Sequence, residues 1–393
     1  MRFDQLEGLR AILAWTVVVW HAAGLSRIDI YAVGGPLIPT FFLNGTIAVT
    51  VFMILSGFVI SHLVITVREP YHIFITRRFL RLWPAHAAAL AIFVVYSALL
   101  NSKTLAIAYY FATTRLRDCL PELAMVRGVV PIEWAPLGNI NPPDWSISLE
   151  WQFYLVAPFI ILAIYQSRRI PIAVVAVFAA MLLLGLPQRW TPAVGLPELT
   201  FPFNGFLGVQ FKFFIVGILS YLALRHGLLG VLRDWRWAVV AVFVAMGFGQ
   251  SWIEASALAI WAIVLTALAA PGWRLNSFLA SRPLRWLGQI SYSTYITHFL
   301  VLIAIKRDFL GDANEGKFSF FLAILGLGTV TIILVSMAMY KFVEEPANRW
   351  ARNWGRRRMA HLERRAAARQ KDTTRSSDFP PHPPSNSEAA SGA

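Results

Sequence analysis

Apolar residues in this chain fall in long unbroken runs, not in the three-to-four or alternating period of a half-buried helix or strand. Each run approaches the ~20 residues that a helix needs to cross a hydrocarbon core of roughly 30 Å. Ten such runs can be read: Leu9 to Leu25, Ile47 to Val67, Pro84 to Leu100, Ser146 to Tyr165, Ile170 to Leu186, Gly205 to Leu224, Trp237 to Gln250, Trp252 to Ala270, Ile290 to Ile305 and Phe318 to Phe342. Short breaks carrying Arg and Pro separate them, and the seventh run is the shortest. The predicted fold is therefore an all-α polytopic membrane helix bundle of about ten transmembrane helices, with both termini on one side.

Composition supports a lipid solvent: 57% of the 393 residues are hydrophobic and only 14% charged, where a soluble domain carries about 25% charged residues. Lys and Arg are placed asymmetrically, 25 on the side of the termini and 9 on the other, with Lys212 inside a span. Basic residues near membrane ends stay cytoplasmic, so both termini are expected in the cytoplasm. The net charge of +14 then reads as a topology signal plus a basic tail, and nucleic acid is not an expected partner. The first run is interrupted by Arg10 and His21 and lacks a small-residue cleavage site, so it is expected to remain in the mature protein. Residues 1–349 form the predicted membrane domain and 350–393 a basic cytoplasmic tail, with a short helix to Lys371 and disorder from about residue 372. The single cysteine, Cys119, falls in a predicted loop; no intramolecular disulfide or cysteine metal site follows from it, and no metal is expected.

Ionisable groups inside hydrocarbon are costly unless paired or wetted, so each marks a candidate site. Arg10 and His21 stand eleven positions apart, three turns and close to 16 Å along one helix face. Arg10 has the alternatives of snorkelling or pairing with Glu7; His21 is either a structural imidazole or a group that takes and returns a proton near neutral pH. Arg78 and Arg81 share a face just before the span expected to start at Pro84. They form a cationic shelf that serves as an ordinary anchor or as a bidentate phosphate site. In Asp144-Trp-Ser-Ile-Ser-Leu-Glu-Trp-Gln-Phe-Tyr, Asp144 is a plausible N-cap and Glu150 is already within the apolar run. Glu150 needs a partner, which is a structural Arg or Ser, or else it orients His21 or an incoming hydroxyl. Ser291, Tyr295 and His298 stack on one face of the ninth run, where interhelical hydrogen bonding is the competing explanation. Ser56-Gly57-Phe58 reads chiefly as close helix packing.

Taken in order, these pieces resemble the acyltransferase 3 family of multi-pass bacterial membrane acyltransferases, over about residues 3 to 349. The pieces are the Arg10 and His21 pair, Phe52-Met-Ile-Leu-Ser-Gly-Phe, the Arg78 and Arg81 pair, Trp145 to Tyr154, Gly288 to His298 and Phe342-Val-Glu-Glu-Pro. The resemblance implies a cytoplasmic acyl-CoA donor, commonly acetyl-CoA, as co-substrate with no bound cofactor. It implies as acceptor a hydroxyl on a saccharide or glycolipid or, in some members, a macrolide-type metabolite. Some relatives carry an appended esterase-like domain; this chain ends instead in the basic tail, and a relay through such a domain is not expected. Carried onto this sequence, the resemblance makes His21 and Glu150 catalytic candidates and Arg10, Arg78 and Arg81 acyl-CoA-binding candidates. Trp145, Ser148, Tyr154, Tyr295 and His298 become acceptor or supporting residues. His21 acts either as general base on the acceptor hydroxyl or as a nucleophile that carries the acyl group. The outer loop from Asn101 to Asp144 and the loop near Arg189 to Asn204 are the expected acceptor contacts. A transporter of a small anion or saccharide is the competing class, since polar groups within spans also mark substrate paths.

Overall fold

The computed structural model describes residues 3–29, 44–99, 116–130, 141–166, 205–249, 251–270 and 272–377. Their regular structure is helical, and no strand occurs among them. The helices are α1 (Asp4–Ser26), α2 (Gly45–Val67), α3 (Tyr71–Leu99), α4 (Leu116–Leu123), α5 (Trp145–Gln166), α6 (Leu207–Arg225), α7 (Trp235–Gly247), α8 (Trp252–Ala269), α9 (Arg274–Leu279), α10 (Arg282–Gln289), α11 (Ser291–Ala304), α12 (Phe318–Met339) and α13 (Glu345–Ser377).

Seven described segments are long and apolar enough to cross a membrane, or eight if α10 and α11, bent by 68° at their junction, count as one. The expected fifth run, Ile170 to Leu186, lies outside the described residues. The seventh forms α7, whose 13 residues span ~20 Å at 1.5 Å per residue, short of a bilayer core. Two further boundaries differ from expectation. Helix α3 begins at Tyr71 and runs through Pro84, so Arg78 and Arg81 sit inside the helix and not on a shelf before it. Helix α13 continues to Ser377, past the expected boundary near 372, and the residues from 378 lie outside those described. Cys119, expected in a loop, falls within α4.

Helix α1 packs against α2, α10 and α11, and α2 lies along α6. The α2–α6 crossing explains the Ser-Gly-Phe segment. A Cβ on Gly57 would fall 2.2 Å from the carbonyl oxygen of Phe214, and one on Gly217 would fall 1.9 Å from that of Ile54. The two glycines let the backbones touch, as small residues do in membrane helices. Phe58, Phe153 and Phe214 fill the adjoining core completely buried, with the rings of Phe153 and Phe214 stacked at 4.1 Å.

The segment 116–130 folds back into the bundle between α3 and α5. The indole of Trp83 donates to the Leu123 carbonyl at 3.0 Å, His86 Nε2 lies 2.8 Å from the Glu122 carbonyl, and Gly128 N–H donates to Ser148 Oγ at 3.0 Å. Glu122 and Arg127 are carried into the interior with it.

Candidate functional site

Helix α1 lines a different cavity at each end. The first, with about 710 Å³ of space unfilled by protein atoms, is lined by Arg10 of α1, Ser56 of α2, Arg81 of α3, Glu150 of α5 and Tyr295 of α11, among others. The second is a cleft lined by Trp20, His21, Leu25, Ile28, Asp29 and Phe299, among others. Arg10 and His21 thus share a helix and serve different spaces.

In the first cavity Glu150 is fixed by two hydroxyls. Ser56 Oγ donates to its Oε1 at 3.0 Å, and the Tyr154 hydroxyl, one helical turn along α5, donates to the same oxygen. Arg81 lines this cavity. Arg78 stacks its guanidinium 5.8 Å from the ring centres of Phe74 and Tyr154, where the aromatic faces and nearby Glu150 offset its charge. Glu344, in the π-helical turn that joins α12 to α13, is buried and accepts from Ser293 Oγ at 2.7 Å; the charges of Arg81 and Arg10 act on it. This end of the bundle therefore gathers the guanidiniums of Arg10, Arg78 and Arg81 with the carboxylates of Glu7, Glu150 and Glu344.

At the other end, His21 meets His298 of α11, Nδ1 to Nε2, at 3.1 Å, and the two rings are tilted at 46° with centres 5.1 Å apart. His298 is fully buried, and Phe299 closes on His21 edge-on at 5.2 Å. Between the two spaces stands Tyr295, whose ring centre is 5.9 Å from that of His298. Its hydroxyl is 2.7 Å from Ser146 Oγ and 3.1 Å from the Pro143 carbonyl.

The sequence-derived candidates separate accordingly. Arg10, Arg81, Glu150 and Tyr295 share the first cavity, with Arg78 and Tyr154 behind it. His21 and His298 form the second centre, and Glu150 does not align the imidazole: its hydrogen bonds go to Ser56 and Tyr154. The Ser148 hydroxyl is engaged inside the bundle: it accepts from Gly128 N–H and also lies 3.4 Å from Gln152 Nε2, which itself donates to the Gly205 carbonyl. Trp145 is half-buried against the core. Asp144 is no N-cap: one oxygen accepts from Asn141 at 2.7 Å and the other faces His86 Nδ1 at 3.4 Å. Three polar groups received no site role from the sequence. Ser56 was set aside as a packing residue, Glu344 entered only within the Phe342-Val-Glu-Glu-Pro piece, and His86 carries the same signal as His21, an imidazole within a span. Of the two expected acceptor loops, 101–115, 131–140 and 189–204 lie outside the described residues.

The family model for an acyltransferase domain matches residues 3–341, nearly the whole helical bundle including both ends of α1. The chain belongs to this acyltransferase family. Among its curated relatives, the acyltransferase is 29% identical over 326 residues to Acyltransferase MdmB of Streptomyces mycarofaciens, covering 77% of this chain and 79% of that protein. It is 23% identical over 376 residues to the Peptidoglycan O-acetyltransferase OatA of Listeria monocytogenes serovar 1/2a, covering 87% of this chain and 55% of that one. It is 23% identical over 379 residues to the Putative peptidoglycan O-acetyltransferase YrhL of Bacillus subtilis, covering 87% and 54%. The acyltransferase thus spans about half the length of the two peptidoglycan relatives. No solved structure matches it significantly.

Proposed function

We propose that this acyltransferase moves an acyl group, acetyl in the first instance, from cytoplasmic acyl-CoA to a hydroxyl of a cell-envelope or exported saccharide. The observation that carries the reading is the division of labour along α1: a guanidinium in a cationic cavity at one end and an imidazole in an aromatic cleft at the other. Coenzyme A is a polyanion, and Arg10 and Arg81, backed by Arg78, supply forked donors for its phosphates. The ~16 Å between Arg10 and His21 suits an extended pantetheine arm, so that phosphates held at one end leave the thioester near the histidines.

The acceptor hydroxyl enters the cleft, where the ring faces of Trp20 and Phe299 suit the apolar face of a sugar and Asp29 suits its hydroxyls. His21 takes the hydroxyl proton as the oxygen attacks the thioester carbonyl. The new C–O bond forms, the C–S bond breaks, and the proton passes to the departing thiolate. The names of the two peptidoglycan relatives support a saccharide as acceptor, and the distribution of Lys and Arg supports an inner-membrane protein that takes its donor from the cytoplasm.

The test is transfer from radiolabelled acetyl-CoA to soluble peptidoglycan fragments by the purified protein in liposomes, with acetyl-CoA binding measured in parallel. His21→Ala should bind the donor and lose turnover by at least about 100-fold, whereas Arg81→Ala should lose donor binding. Wild-type protein that binds acetyl-CoA without labelling the fragments would overturn the acceptor; failure to bind at all would overturn the donor and favour transport.

A further inference from the structure

The hydrogen bonds around the two histidines determine which nitrogen carries which proton. His298 Nδ1 lies 2.6 Å from the Tyr295 carbonyl and 3.2 Å from that of Thr294. Carbonyls only accept, so this nitrogen is the N–H of the ring, and in neutral His298 the remaining nitrogen, Nε2, is an acceptor. That acceptor faces His21 Nδ1 at 3.1 Å, while the Val17 carbonyl faces the same His21 nitrogen at 3.0 Å. His21 Nδ1 is thus surrounded by acceptors and is itself an N–H. With both ring protons placed, His21 Nε2 holds a lone pair, on the one histidine of the two that lines the cleft.

From this we infer that His298 is the positioning residue of the reaction, resting on the function proposed above: together with the Val17 carbonyl it holds His21 in the Nδ1–H tautomer and aims the ring, so that Nε2 is the base and the acceptor hydroxyl approaches from the cleft. The arrangement does what a carboxylate does behind a catalytic histidine, setting tautomer and ring direction and bonding to the imidazolium once it forms. It does so with a neutral group, which suits a site where a second buried charge would be expensive. His298 touches neither donor nor acceptor. It is fully buried, its Nδ1 proton is tied to its own helix, and it acts only through His21. The bond also joins the first described helix to α11 across 277 positions, so the base is aimed by two independent helices.

Two substitutions of similar size separate this role from packing. The side-chain oxygen of His298→Gln can accept from His21 Nδ1, whereas His298→Leu fills the space without an acceptor. Turnover of acetyl-CoA with peptidoglycan fragments is compared with acetyl-CoA binding for both. The expected result is His298→Gln within about tenfold of wild type in kcat and His298→Leu down by about 100-fold or more, with donor binding unchanged in both. Equal activity of the two variants, or a better His298→Leu, would overturn the assignment. Nitrogen-15 spectra of histidine-labelled protein in lipid read the tautomer without any turnover. An unprotonated His21 Nε2 in wild type supports the assignment, and a protonated Nε2 sinks it. If the tautomer is as assigned and acetyl-CoA is still not bound, the proposed function fails while the positioning geometry stands.

Discussion

Ser56 is the kind of residue whose role only the third dimension reveals. Within the run Phe52 to Phe58 it looks like a small residue at a helix crossing, and its neighbour Gly57 is one; yet its hydroxyl holds Glu150. A carboxylate in a low-dielectric interior depends on such donors, and hydrogen bonds to charged groups are worth about 1.5–3 kcal/mol each. Ser56→Ala and Tyr154→Phe should therefore each lower unfolding stability by about that amount, and the double variant should lose more than the sum, because it strands the carboxylate without a hydroxyl donor. Thermal unfolding in detergent measures this, and strict additivity would show that Glu150 finds another partner. At this scale the sequence was readable wherever a charge or an imidazole broke an apolar run, as with Arg10, His21 and Glu150. It was unreadable where the polar group stood at a run's end, as Glu344 does, or where a local role was the simpler reading, as for Asp144. Pairing was not readable at all: spacing placed His21 and His298 on faces, and only packing set one against the other.

Element by element, the apolar runs named most helices, because run length against bilayer thickness is a strong physical constraint. They misplaced the start of α3, since the run begins only near Pro84 while the helix begins at Tyr71. The turns that carry Arg77, Arg78 and Arg81 are half-buried against neighbouring helices, and no run of apolar residues announces that. The same holds for α4 and its continuation to residue 130, which enter the bundle with Glu122 and Arg127 and had read as part of an outer loop. The α2–α6 contact, by contrast, depends on one atom's absence. Gly217→Ala places a methyl where the Ile54 carbonyl stands, so the helices must separate, at about 1–3 kcal/mol. A thermal midpoint equal to wild type would show that the crossing yields more easily than the backbone contact suggests.

For the whole molecule the remaining question is which end of α1 faces the cytoplasm. The excess of Lys and Arg predicts that the loop joining α6 to α7 is cytoplasmic and that the loop before α12 is outside. The loop before α12 is tied to α1: Arg27 pairs with Glu315 at 3.1 Å, and Gly316 N–H donates to the Ser26 carbonyl at 2.9 Å. Lys306 holds Glu315 below the usual carboxylate range, chiefly through their hydrogen bond. With Cys119 replaced by Ser, Gly230→Cys and Ala313→Cys test the orientation on intact cells. A membrane-impermeant maleimide should label Ala313→Cys alone, and labelling of Gly230→Cys alone would invert the molecule and move the donor site to the wrong compartment.

The 277 positions between His21 and His298 also have a meaning in time. A ribosome adding about 5–20 residues per second needs roughly 15 to 55 s to go from one histidine to the other. Throughout that interval α1 is in place, with Arg10 and His21 made and nothing from α11 yet set against the imidazole. The residue that selects the working form arrives with α11, among the last parts of the bundle to be synthesised. A chain that stops short of α11 can therefore own Arg10, Arg81 and His21 and still lack a directed base, which delays competence until the protein is almost whole.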